Sequence, residues 1–472
     1  MTMPRSTPAS EGVDGRRLLG LLDAMETDGH GFHSLMIARH GRVIAEGWWA
    51  PYAPRRMHLG YSLTKSCTAT VLGDLVGRGL IDLDAPVLSY LGGWESASPK
   101  WRRVTVRHCI TMTVGHTTDA WEWRGDATPA VPPTDGDPLL ALILARDPDG
   151  EPGEVWAYNQ VATYLVAQAI AAASGEPLST HLRRLLLDPL GGGAAAVQRT
   201  PQGRDLGFSG LQLTTPAILA LAQTWLDGGV WQGTRLVPAG YAEWAPQPTP
   251  ASLAAEGDGD WAVGYGGSFW GARHGYRGDG AFGQFAVVLP EQDVVVAITS
   301  EVEVMQDVLD QFWEHLLPAI EGEPDAHADE QLAHRLAELV HRPLSGPERR
   351  EPVRAVRDEA SQLPASYRAV NLEDTPGGHH LLTIDHPGGE LVTVVGDGQW
   401  LESRWATPSG PELAIMASGA WQHGVFCAHL RLVETPHMIL LELDPDAGTV
   451  RMDWRLVPLS GVDPLALAAF PI

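Results

Sequence analysis

Apolar runs that read as strands bracket a long helical stretch in this chain, and that split constrains the fold more than any other feature. His33-Ser34-Leu35-Met36-Ile37-Ala38-Arg39 and Val43-Ile44-Ala45-Glu46-Gly47-Trp48-Trp49 flank a His40-Gly41 turn and predict a β-hairpin. Runs over 261–270, 282–289 and 293–299, the last two joined by Pro290-Glu291-Gln292-Asp293, predict three further strands. Between the two groups, residues 105–235 read as mainly helical, with helices at 138–146, 159–174, 178–187 and 215–228 broken by Gly and Pro. An amphipathic helix is expected over 11–29 and another helix over 303–320. Two strands before the insertion and three after it predict an α+β fold: one antiparallel sheet flanked by helices, with a helical subdomain.

After Glu321 the character changes. The acidic stretch 321–330 reads as a linker or exposed turn, followed by a short helix to about Val340. From about residue 365, short alternating runs are separated by His386-Pro387-Gly388-Gly389, Pro408-Ser409-Gly410 and Asp444-Pro445-Asp446-Ala447-Gly448. That rhythm predicts a C-terminal β-barrel or sandwich domain. The expected division is therefore a first domain over 1–322, a linker with a short helix over 323–350, and a β-rich domain over 351–472.

Composition narrows the function. A formal charge of −25, without any Lys/Arg run, argues against nucleic acid or an anionic membrane as partner. No apolar stretch reaches membrane-spanning length, and the N-terminus carries no apolar signal core, so the cytoplasm is the expected location. Cys67, Cys109 and Cys427 are scattered and lack C-x-x-C spacing, which predicts neither a disulfide framework nor a metal site. No nucleotide motif occurs, and no cofactor is expected.

The chemistry concentrates where lysine does. Only Lys65 and Lys100 occur among 33 basic residues, and Lys65 stands three residues after Ser62 at a helix start. By chance an S-x-x-K would arise in roughly one such chain in ten. Residues three apart share a helix face, so Ser62 Oγ and Lys65 Nζ come within hydrogen-bond reach. The positive end of the helix dipole disfavours the ammonium form, as a lysine base requires. A hydroxyl is a poor nucleophile until such a base takes its proton. A second candidate follows the Pro152-Gly153 turn: the Tyr158 phenol, placed beside Lys65, is expected below its usual pKa of about 10 as a proton shuttle.

Ser62-x-x-Lys65 with Tyr158 resembles the serine β-lactamase and penicillin-binding-protein superfamily, in particular its class C-like esterases, D-aminopeptidases and 6-aminohexanoate-oligomer hydrolases. Val106-Arg107-His108-Cys109-Ile110-Thr111-Met112-Thr113-Val114-Gly115-His116 and Phe208-Ser209-Gly210-Leu211 are similar to further segments of that family, so the likeness covers about residues 10–320. It implies a third motif on the strand lining the site, within Tyr276-Arg277-Gly278-Asp279-Gly280-Ala281-Phe282-Gly283-Gln284. Two registers fit, Gly278-Asp279-Gly280 and Tyr276-Arg277-Gly278. The first implies the backbone N–H groups of Ser62 and Ala281 as oxyanion donors, with Arg277 or Asp279 near the mouth in place of the family's lysine. Gln160 stands where the family has an asparagine, and Gln160, Arg277, Asp279 and Gly280 are the substrate-binding candidates. The missing lysine and the longer amide favour an ester or amide substrate over a β-lactam.

The expected activity is hydrolysis of a small ester or amide through a Ser62 acyl-enzyme, with a small molecule or peptide as substrate. The same intermediate serves acyl or peptidyl transfer, as in penicillin-binding-protein-type thioesterases, whose lipocalin-like C-terminal domain the β-rich segment resembles. A non-catalytic binding scaffold is a third reading. Plain structural roles compete at single positions: an N-cap for Ser62, a core ring for Tyr158, a turn pair for Arg277 and Asp279, and packing for His58, His116 and His274. Trp121, Trp123, Trp156, Trp261 and Trp270 are core residues or walls of an acyl pocket. For the C-terminal domain, a stabilising module competes with a lid over the cleft.

Overall fold

The structure, a computed structural model, describes residues 3–27, 31–92, 97–119, 137–255, 257–346 and 351–472. Its first sheet joins the two strand groups. Strands β1 (Gly31–Arg39) and β2 (Arg42–Trp48) form the hairpin, and β3 (Trp270–Ala272), β4 (Gly275–Gly280), β5 (Gln284–Leu289) and β6 (Val294–Glu301) follow the insertion. The order across the sheet is β2-β1-β6-β5-β4-β3, all antiparallel, with Gly31 opposite Glu301 and Arg39 opposite Val294 where the halves meet.

Both faces of this sheet are covered, which explains why its central strands read as unbroken apolar runs. Along β1, Leu35 and Ile37 enter one core while Met36 and Ala38 enter the other. β6 alternates likewise: Val294, Val296 and Ile298 join the first core, Val295 and Ala297 the second. The first core holds α1 (Gly15–Thr27) and the helical run Met305–Ile320; the second holds α2 (Leu63–Gly77), α3 (Gln160–Ser174) and α4 (Thr215–Leu226).

Two expectations need correction. The 261–270 run is not a strand: Gly259–Val263 is a short 3-10 helix, and Gly264 at φ 93° turns the chain. The strand lies later, at β4, where three glycines in six residues hide it from any propensity reading. There are thus four strands after the insertion. The acidic stretch is also more ordered than a linker, since α5 (Ala326–Ala337) begins inside it and buries Leu332 and Leu336 against the first core.

The C-terminal strands are β7 (Val353–Arg357), β8 (Ala369–Asp374), β9 (His380–Asp385), β10 (Leu391–Val395), β11 (Leu401–Trp405), β12 (Leu413–Gln422), β13 (Val425–Leu432), β14 (His437–Asp444) and β15 (Thr449–Trp454). They form one nine-stranded sheet in the order β10-β9-β8-β7-β15-β14-β13-β12-β11, and only β7–β15 is parallel. The sheet curls until its ends nearly meet: Gly396, just past β10, bridges Ser418 on β12, and Trp405 Nε1 on β11 donates to Thr393 Oγ1 on β10 at 2.8 Å. The chain end then returns to the helical part, where Phe470–Pro471 pairs with Ala196–Val197. No described helix is long and apolar enough to cross a membrane.

Candidate active site

Helix α2 is buried on nearly every side and runs through the second core. Its entry is strained. Tyr61 takes a left-handed conformation at φ 46°, and Ser62 at φ −64° opens the first turn. One turn on, Lys65 is 1% exposed, so its amine sits where water cannot reach while the Ser62 hydroxyl stays partly open.

Lys65 Nζ lies 3.0 Å from Ser62 Oγ, 2.6 Å from Gln160 Oε1 and 2.9 Å from the Phe208 carbonyl oxygen. Gln160 Oε1 and the Phe208 carbonyl can only accept. A neutral amine donates one N–H to each and keeps its lone pair for the Ser62 O–H. Burial pulls the Lys65 amine down to about 7, against the pull of Asp119 and Asp279 toward the charged form. The lowering therefore comes first from desolvation.

Tyr158 flanks the pair, with Lys65 Nζ 4.7 Å from its ring centroid. Its pKa moves opposite to expectation: burial pushes the phenol well above 10, with Tyr265 and Asp279 adding to the rise and the Ser62 hydroxyl opposing it. Tyr158 is thus a neutral phenol that can donate. Its ring stacks on Trp270 at 5.6 Å, and Trp156 and Tyr265 pack edge-on to the same indole, so Trp156 and Trp270 form a wall beside the pair. Trp121 and Trp123 lie outside the described residues.

Strand β4 closes the other side. A Cβ on Gly278 would sit 2.6 Å from Leu63 Cδ1, and one on Gly280 would sit 2.0 Å from the Gly60 carbonyl oxygen. Only bare backbone fits so close to α2. Ala281 follows Gly280, and Ser62 follows Gly60 by two residues, so this contact brings the two segments alongside each other. Tyr276 instead donates its hydroxyl to the Trp225 carbonyl at 3.0 Å.

Arg277 and Asp279 alternate to the opposite face of the strand and are not at the mouth. Arg277 is fully buried and Asp279 is 8% exposed. The Arg277 Nε donates to Asp279 Oδ2 at 3.0 Å, Nη1 donates to the Gly271 carbonyl, and the guanidinium stacks 4.6 Å from the centre of the Trp261 ring. The pair lies within a strand rather than in a turn. Gln160 is engaged by Lys65, and its backbone N–H donates to Asp119 Oδ1 at 3.0 Å. His58 packs on His33, His116 Nδ1 lies 3.3 Å from the Asn159 amide, and His274 lies against Trp313. Cys67 is buried, and its thiol is pushed up to about 12 by that burial.

Three parts of the site had escaped the sequence reading. The Phe208 carbonyl is a backbone acceptor and carries no side-chain signal. Asp119 becomes relevant only once α3 folds beside it. The third part is the C-terminal sheet, whose apolar cluster takes in Leu59 and Tyr61, with Ala281 and Phe282 packed against it.

The profile of the family described as Beta-lactamase matches residues 23–317. A 6-aminohexanoate-dimer hydrolase from Paenarthrobacter ureafaciens is 28% identical over 227 residues, covering 44% of this chain and 56% of that protein. Esterase EstB from Burkholderia gladioli is 27% identical over 214 residues, covering 40% of this chain and 54% of the relative. The chain thus spans little more than half the length of these curated relatives. Among solved structures, one titled SurE aligns over 93% of this chain and 98% of its own at 19% identity with a TM-score of 0.51, a likeness of fold that includes the C-terminal sheet.

Proposed function

Since the chain belongs to the Beta-lactamase family, we propose that it is a serine hydrolase that cleaves a small ester or amide through an acyl-enzyme on Ser62. The observation that carries this reading is the Lys65 amine, buried, drawn down to about 7 and held 3.0 Å from Ser62 Oγ by two acceptors that leave its lone pair free. The hydrolase and esterase names of its relatives agree with it.

In this mechanism Lys65 takes the Ser62 proton as Oγ attacks the substrate carbonyl. The N–H groups of Ser62 and Ala281 hold the oxyanion of the tetrahedral intermediate. Tyr158 donates its phenolic proton to the departing alcohol or amine and regains one from Lys65, so the acyl-enzyme forms with both groups restored. Water then attacks the ester, losing its proton along the same path, and Ser62 is regenerated. An amine or alcohol entering in place of water would give transfer from the same intermediate. Arg277 is committed to Asp279, so no cation of β4 faces the cleft to bind a substrate carboxylate, which supports neutral esters and amides over β-lactams. Short-chain p-nitrophenyl esters test the reading. The wild type should release nitrophenol and Ser62→Ala should not; equal rates in both would refute it.

A further inference from the structure

The C-terminal sheet reaches the reacting centre through one buried imidazole. His437 opens β14 and is fully buried. Its Nδ1 lies 2.9 Å from the Leu456 carbonyl, which can only accept, so Nδ1 carries the proton and Nε2 carries the lone pair. The Tyr61 hydroxyl donates to that Nε2 at 2.5 Å. The imidazole also meets the Phe282 ring edge-on at 5.0 Å, Tyr61 and Phe282 meet each other at 5.4 Å, and Trp454 closes the far side at 5.8 Å. The turn before β14 adds a backbone bond, from Leu59 N–H to the Glu434 carbonyl at 2.8 Å.

The two rings that His437 holds stand at matched places. Tyr61 immediately precedes Ser62, and Phe282 immediately follows Ala281. Both are left-handed, at φ 46° and φ 66°, a conformation that costs a bulky residue free energy and persists only where its surroundings over-determine it. A phenylalanine at 437 would fill the same space but offer no acceptor to the Tyr61 hydroxyl.

We propose that His437 is a positioning residue: it locks the strained Tyr61 and Phe282 together and so fixes the spacing of the Ser62 and Ala281 N–H groups that hold the oxyanion. The C-terminal sheet is then part of the catalytic apparatus, neither a passive stabiliser nor a lid. This inference rests on the Ser62 reading above.

Three variants test it, each assayed for p-nitrophenyl ester turnover alongside Ser62→Ala and followed by thermal unfolding. Tyr61→Phe deletes one hydroxyl, His437→Phe deletes the acceptor, and His437→Gln retains an acceptor for Tyr61 and a donor for Leu456. Misplaced oxyanion donors should lower kcat by about 10- to 100-fold with KM within about threefold in the first two. His437→Gln should recover most of that loss. Wild-type kcat in Tyr61→Phe and His437→Phe, with Ser62→Ala inactive, overturns the positioning role alone. A loss confined to KM, or one that vanishes when assayed far below each variant's Tm, also overturns it. Full turnover in Ser62→Ala would overturn the serine mechanism and this inference with it.

Discussion

At the scale of single residues, the proposed mechanism makes Lys65 the group that sets activity near neutral pH. Its amine is basic only when neutral, and its pKa of about 7 means that the base form is lost as pH falls below that value. The kcat/KM for ester hydrolysis should therefore rise with pH to about 7 and level off above it. Replacing the amine by the similarly shaped Lys65→Met should cost about 10²- to 10⁴-fold in kcat, the usual worth of a positioned base. The same change should raise stability. Between pH 7 and 10.5 the unfolded chain binds a proton that the folded chain lacks, so the penalty of burying the amine is complete below pH 7 and relieved as pH rises. Lys65→Met removes it, and Tm at pH 7 should increase; an unchanged or lower Tm would contradict the assigned burial cost. That Ser62 and Lys65 would meet was legible from their three-residue spacing, and Tyr158 stood out by the Pro-Gly turn before its helix. The sign of the Tyr158 shift was not, since it depends on how deeply neighbouring elements bury the phenol.

At the scale of elements, strand β4 shows why sequence reading placed the sheet well and its active-site edge badly. β1, β5 and β6 announce themselves through buried Val, Ile and Leu, whereas β4 carries Gly at 275, 278 and 280, where a side chain would meet the Val288 carbonyl, α2 at Leu63 and the Gly60 carbonyl in turn. The propensity signal there was set aside by a packing requirement that only the folded pair reveals. Arg277 and Asp279 do pair, as one reading of the sequence had it, but within the strand and buried rather than in a turn. Gly280→Ala tests the packing account. A methyl group 2.0 Å from the Gly60 carbonyl must push β4 away from the Ser62 turn. The expected result is a loss of ester turnover of about 100-fold or more with a lowered Tm; wild-type turnover would show that the approach is not needed.

At the scale of the whole molecule, buried histidines line part of the contact with the C-terminal sheet, beside the apolar cluster that takes in Leu59 and Tyr61. His33 and His58 share a bond at 2.9 Å beside Glu301, which accepts from Arg431 at 3.0 Å, with Arg455 at 3.5 Å and Tyr52 stacked on His33. Burial draws His58 down to about 3, His341 to about 2, and His429 and His437 to about 4; Arg431 adds to the lowering at His341 and His429, Arg455 at His429, and Glu301 opposes it at all four. These rings are neutral in the fold and titrate near 6.5 when unfolded, so their stabilising effect is present above pH 6.5 and lost as pH falls toward 4. Each should cost roughly 1–2 kcal/mol between pH 7 and 5. Tm should fall steeply over that interval, and a flat Tm would contradict the neutral assignment. Nothing in the sequence pointed to this seam, because its members come from chain segments that only the fold joins. Whether Ser62 carries the acyl group can be read from intact-protein mass after brief exposure to a short-chain p-nitrophenyl ester. A single acyl adduct is expected on the wild type, mapping to the peptide that contains Ser62 and absent from Ser62→Ala. An adduct that persists in the variant, or ester turnover without any adduct on Ser62, would contradict it.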